Sequence, residues 1–134
     1  MAGELLSDNL QLSYRLKGRS MFPTLRPGDI CLVEKCPPED LQLGDIVVFN
    51  QKGLLIGHRL VLIEKANNQY SFITRGDNCP LPDPAFSEQQ LLGRIRTFTR
   101  NGKTHKTDSF CNKLSGKMIM HFPKLTLKRS AILL

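Results

Sequence analysis

Leu54-Leu55-Ile56-Gly57-His58-Arg59-Leu60-Val61-Leu62-Ile63, followed beyond Asn67-Asn68 by Tyr70-Ser71-Phe72-Ile73-Thr74, decides the fold class. Both runs are rich in β-branched, aromatic and leucine side chains, and the paired asparagines between them tolerate the backbone of a tight turn. They read as a β-hairpin. Working outward, Pro27-Gly28-Asp29 opens Ile30-Cys31-Leu32-Val33-Glu34, and Leu43-Gly44-Asp45 opens Ile46-Val47-Val48-Phe49. These two segments form a quasi-repeat of turn followed by strand, with the Asp carboxylate free to accept backbone N–H groups in the turn. Cys36-Pro37-Pro38-Glu39-Asp40 joins them as a stiff connection, because consecutive prolines block both helix and ladder.

Ile95-Arg96-Thr97-Phe98-Thr99-Arg100 alternates with period two and turns at Asn101-Gly102, a strong hairpin signal. Its return strand, 103–107, is polar on both faces and is expected in solvent. A Pro-rich loop spans 78–84, and 87–91 suits one helical turn. In the tail, 115–122 suits a short helix and 125–127 a strand. No βαβ alternation appears. The expectation is a mainly β fold: a single compact antiparallel β domain with little helix, comprising a lead-in (1–14), a core (15–96) and a basic hairpin and tail (97–134).

The chain has 134 residues, 40% hydrophobic and 23% charged, which suits one globular domain with a modest core. Its net charge of +7 is unevenly placed. Residues 1–93 hold 9 Lys/Arg against 11 Asp/Glu, whereas residues 94–134 hold 10 against Asp108 alone. That basic third is either a solvated face or a contact for an anionic partner such as a phospholipid surface. Nucleic acid is not expected, since aromatics make up only 7% and Trp is absent, leaving few stacking platforms. The four cysteines form no CxxC pair and no Cys/His ligand block, so neither a metal nor another cofactor is expected, and Cys31 reads as a small core residue. Met1–Gly18 lacks an apolar signal core, and the apolar runs fall far short of the roughly 20 residues of a membrane span. The expected location is the cytoplasm, with peripheral membrane contact through residues 94–134 as a second expectation.

Gly18-Arg19-Ser20-Met21-Phe22-Pro23-Thr24-Leu25 places a hydroxyl on a rigid loop edge. A serine hydroxyl is a poor nucleophile without a base to take its proton. Of the three histidines, His105 lies in the polar hairpin between Lys103 and Lys106, and His121 lies in an apolar run suited to core packing. His58 follows Gly57 where an apolar strand begins. Thr74-Arg75-Gly76-Asp77-Asn78 and the later Asp83 supply carboxylates that could orient an imidazole. As plain structure, Asp77 would close a turn and Asp83 would be a loop acid beside proline.

Ser20-Met21-Phe22-Pro23-Thr24-Leu25, Arg26-Pro27-Gly28-Asp29, Leu43-Gly44-Asp45-Ile46-Val47-Val48-Phe49, His58-Arg59 and Gly76-Asp77-Asn78 together resemble, in order, the S26 peptidases, the type I signal peptidases. The resemblance covers roughly residues 15–96 and implies a serine endopeptidase on the signal-peptidase/LexA-like β fold. The eubacterial branch carries a lysine base before the arginine of the fourth block; here that place holds His58, which is similar to the archaeal and endoplasmic-reticulum-type Ser-His-Asp branch. The resemblance implies Ser20 as nucleophile, His58 as base and Asp77 or Asp83 as orienter. Of the two acids, Asp77 is expected to be essential, by orienting His58 or by holding its loop. An extended peptide or protein substrate, such as a leader or a dedicated partner, would pair with an edge strand. Met21 and Phe22 are either walls of the substrate pocket or ordinary core. Two other classes compete. One is a LexA-like S24 autoprotease, disfavoured because Lys65 ends its strand and about 17 residues before Gly18 leave no room for a helix-turn-helix. The other is a non-catalytic basic binding domain.

Overall fold

The computed structural model describes residues 11–107. The expected tail elements at 115–122 and 125–127, His121, and the tail part of the basic segment lie outside them. Eight strands form one antiparallel sheet: β1 (Gln11–Arg15), β2 (Ile30–Glu34), β3 (Ile46–Gln51), β4 (Leu54–Ala66), β5 (Gln69–Arg75), β6 (Phe86–Ser87), β7 (Leu91–Arg100) and β8 (Lys103–Lys106). The order across the sheet is β1-β2-β7-β3-β4-β5-β6, and β8 pairs with β7. Among the described residues, helix is confined to single 3-10 turns at Pro38–Asp40 and Glu88–Gln90, so the expected mainly β, compact antiparallel architecture holds.

Three hairpins turn at residue pairs with positive φ: Lys52-Gly53, Asn67-Asn68 and Asn101-Gly102. That backbone matches the right-handed twist of the flanking strands, and Asn and Gly enter it at the least cost. The register confirms the hairpin read from sequence, with Lys65 opposite Tyr70 and Ala66 opposite Gln69. β8 is exposed along its length, as its two polar faces require, but Thr107 just beyond it is buried and donates its hydroxyl to the Ile95 carbonyl, so that end of the expected 103–107 strand leaves solvent. One element was not foreseen. β1 lies partly inside the segment assigned as a lead-in and pairs with all of β2. Its five residues carry only Leu12 and Tyr14 on the covered face, too short an alternation to stand out.

β3 explains why the sheet is buried on both sides. Ile46 and Val48 join Leu16, Met21, Leu25, Cys31, Val33, Ile95 and Phe98 on one face. Val47 and Phe49 join Leu41, Leu60, Phe72 and Phe86 on the other. A continuous apolar run is what a strand covered on both faces needs. Phe86 stacks on Phe49 at 3.9 Å between ring centroids, so two-residue β6 is anchored by an aromatic plug. No helix among the described residues is long and apolar enough to cross a membrane.

The sheet has an open stretch along β4. Leu54–Arg59 of β4 pairs with β3, but β5 joins its other side only from Arg59 onward. Among the described residues, the outer edge of Leu54–His58 therefore has no strand beside it. Tyr14 reaches it with one side-chain bond, donating its hydroxyl to the Leu55 carbonyl at 3.1 Å.

Candidate active site

The 18–29 loop is fixed from inside and from both flanks. Gly18 takes φ +77°, in the left-handed region that an L side chain rarely enters. Leu25 N–H closes one helical turn on the Met21 carbonyl, and the side chains of Met21 and Leu25 are fully buried. Asp29 accepts from Arg26 N–H at 2.8 Å and from Arg100 at 2.9 and 2.7 Å, while Arg100 also donates to the Thr24 carbonyl. Burial alone would push the Asp29 carboxyl up. The Arg100 and Arg26 hydrogen bonds, with the two positive charges, outweigh it and hold the group below its ordinary value.

A carboxyl depressed in the folded chain contributes stability that is present above its unfolded value of 3.8 and is lost as pH falls through the folded value. Urea unfolding of wild type and Asp29→Asn should therefore differ at pH 6 and converge when acidified well below pH 3.8. A difference that persists unchanged in acid would contradict this.

On the loop stands Ser20, half-buried, with its Oγ 2.9 Å from His58 Nε2. His58 Nδ1 lies 2.6 Å from Asp83 Oδ2. Thr74 donates its hydroxyl to the same oxygen at 2.7 Å, and Asp83 N–H donates to the Thr74 carbonyl. β5 thus clamps Asp83 by main chain and side chain together. His58 is 8% exposed, so the hydroxyl–imidazole–carboxylate line sits at the surface with little water around the ring.

Asp77 has a different place. Its carboxylate receives Arg59 Nε at 2.9 Å and Nη2 at 2.8 Å, a two-pronged pair, and the Thr24 hydroxyl at 2.6 Å. Arg59 is 0% exposed and also donates to the Gly44 carbonyl. This buried cation therefore ties together three segments: the serine loop through Asp77 and Thr24, the Gly76–Asn78 loop, and the turn before β3. Of the two acids considered from sequence, Asp83 is the one on the imidazole, and Asp77 is one residue pair removed. Met21 lies wholly inside the core, and its sulfur accepts from Asp77 N–H at 3.4 Å. Phe22 stays half-buried on the rim.

The Gly76–Cys79 loop covers the serine. Asn78 N–H donates to the Ser20 carbonyl at 2.7 Å, and Asn78 Nδ2 donates to the Arg19 carbonyl. Cys79 lies beside them, its thiol pushed up by burial and then by the Asp83 charge, so it stays protonated. A Cβ on Gly76 would fall 2.6 Å from Cys79 Sγ, 2.7 Å from the Ser20 carbonyl oxygen and 3.2 Å from His58 Nε2. Gly76→Ala should therefore shift the serine against the imidazole and cut any Ser20-dependent hydrolysis by about 100-fold, the scale of an ångström-sized misplacement. A variant with wild-type kcat would show that the loop gives way harmlessly.

Thr24, Arg59, Thr74 and Cys79 were not assigned to the site from sequence. Arg59 carried a usable signal, since a charge inside an apolar strand run must find a buried counter-charge. Lys65 lies at the far, exposed end of β4, with its ammonium 5.2 Å from the Tyr70 ring centroid. The basic C-terminal third is partly structural. Arg94 pairs with Asp45, and Arg100 pairs with Asp29.

A family model described as signal peptidase, peptidase S26, matches residues 6–96. Curated relatives include the signal peptidase complex catalytic subunit SEC11C of Homo sapiens, Mus musculus and Canis lupus familiaris. Each is 30% identical over 90 residues, which cover 59% of this chain and 47% of the relative. The chain spans about half the length of the curated relatives it matches.

Proposed function

The chain belongs to the signal peptidase S26 family, and from that premise we propose that it is a serine endopeptidase with Ser20 as nucleophile, His58 as general base and Asp83 as the orienting acid. The observation that carries this reading is the unbroken line from Ser20 Oγ to His58 Nε2 (2.9 Å) and from His58 Nδ1 to Asp83 (2.6 Å). A Ser-His-Asp set in this role is what supports reading the chain as a member of the His-base branch.

With Nδ1–H donated to Asp83, Nε2 is left as the acceptor facing the serine hydroxyl. Ser20 Oγ attacks the peptide carbonyl while Nε2 takes its proton, and backbone N–H groups beside Ser20 meet the developing oxyanion. The imidazolium then protonates the leaving amine. Water, deprotonated by the same nitrogen, releases the acyl group from Ser20. Throughout, Asp83 stays ionised and stabilises the imidazolium. Asp77, held by Arg59 and Thr24, keeps the serine loop and the covering loop in register.

The substrate is a polypeptide in extended form. The open outer edge of Leu54–His58 leads directly to the base, so a peptide strand laid there would deliver its carbonyl to Ser20. A leader or a dedicated protein partner fits such a cleft. Incubating a pooled peptide library with wild type and Ser20→Ala should give new peptide termini with wild type alone. The same termini from both proteins, or none from wild type, would count against proteolysis.

A further inference from the structure

Phe22 sits two residues after Ser20 and has two guanidinium groups near its ring. Arg19 lies 4.7 Å from the ring centroid and Arg26 lies 5.6 Å from it. Both arginines are exposed, as is Lys17. Among the described residues neither Arg19 nor Arg26 is in an ion pair, whereas Arg59, Arg94 and Arg100 each have a carboxylate. No acidic residue occurs between Asp8 and Asp29. Two like charges gathered on one ring repel each other, and the ring's negative face offsets this only in part. The Asp29 carboxylate answers part of the Arg26 charge, and the exposed guanidiniums leave room for a further anion.

Its position is fixed relative to the nucleophile. The Arg19 carbonyl is held by Phe22 N–H at 3.1 Å and by Asn78 Nδ2 at 3.1 Å, so the side chain leaves from a rigid point one residue before Ser20. Anything bound by the Arg19 guanidinium is therefore tethered to the residue next to Ser20. The geometry points to a substrate-recognition surface formed by Arg19 and Arg26 on Phe22, selecting polypeptides with a carboxylate side chain near the cleaved bond. Guanidinium forks match carboxylates in shape as well as charge. An anionic membrane is the less suitable partner. Surface-bound proteins pair cations with apolar side chains that enter the lipid. Among the described residues the large exposed apolar ones are Ile30, Leu43, Leu54 and Leu81, and none lies within 17–28.

This inference rests on the proposed peptidase reading for its meaning, but its test is binding, read separately from cleavage. Ser20→Ala chain would be titrated with two pools of fluorescent 12-residue peptides, identical except that Asp and Glu in one are Asn and Gln in the other. The acidic pool should bind about fivefold tighter at low salt, as expected for two exposed charge pairs, and lose that advantage near 1 M salt. Arg19→Gln/Arg26→Gln should erase the preference, and Arg19→Lys/Arg26→Lys should keep part of it. Equal binding of both pools, no binding of either, or a preference surviving the Gln double variant would overturn the inference. So would binding of phosphatidylglycerol vesicles that falls in the double variant while peptide binding does not change. Acid-selective binding together with no cleavage by wild type would sink the peptidase reading alone, and cleavage by wild type without acid selectivity would sink this inference alone.

Discussion

Asp83→Asn is expected to slow peptide cleavage by about 10^4-fold while changing the denaturant midpoint little. The reason lies in one atom. Asp83 Oδ2 faces both His58 Nδ1 and the Thr74 hydroxyl, so it must accept two hydrogen bonds at once. An amide oxygen in that place could still accept both bonds but carries no charge to stabilise the imidazolium, and the flipped amide presents its NH2 to the imidazole, which forces the proton onto Nε2, where it faces Ser20 as a donor. The nucleophile then has no base. Asn keeps the volume, and the main-chain bond from residue 83 to the Thr74 carbonyl is unaffected, so the fold should persist. Steady-state kinetics on any cleaved peptide, run beside urea unfolding, separates the two effects. Equal loss of stability and activity would assign Asp83 a structural role.

Asp77→Ala should show the opposite signature, a loss of about 3–5 kcal/mol of folding stability. Arg59 is fully buried, and the substitution leaves its guanidinium facing Gly44 without its carboxylate. A cost of that size is a large part of the roughly 5–15 kcal/mol that holds an average domain together. The Thr24 hydroxyl loses its acceptor in the same step, so the serine loop slackens as the core weakens. Arg59→Leu/Asp77→Leu should be less damaging than either single change, because it removes both charges and restores apolar volume. A urea midpoint for Asp77→Ala within error of wild type would show that the pair contributes little. The two aspartates, six positions apart, are thus expected to fail in different assays.

The strands and hairpins were legible because they depend on local chemistry. Asn67-Asn68 and Asn101-Gly102 favour positive φ whatever surrounds them, and the β3 run is apolar because both its faces are covered. β1 escaped notice because its identity comes from pairing with β2, and only Leu12 and Tyr14 mark its inner face. In the site, Ser20 and His58 stood out by the motif blocks around them. The direction in which each acid points did not. Asp77 lies in the more recognisable Gly-Asp-Asn motif, yet it turns to Arg59, while Asp83 in the Pro-rich loop turns to the imidazole. Loop trajectories from 76 to 83 decide that, and they are set by contacts with Ser20, Thr74 and Arg19 that no local spacing encodes.

The proposed proton transfer from Ser20 to His58 can be tested without knowing the natural substrate. Wild type, Ser20→Ala and His58→Ala would be treated with an activated-ester acylating probe, and the site and rate of modification followed by intact-mass and peptide-map mass spectrometry. A single fast adduct on Ser20, absent in Ser20→Ala and slowed by about 10^3-fold or more in His58→Ala, is the predicted result. Acylation of Ser20 at the same rate with and without the imidazole, or an adduct located elsewhere, would contradict it.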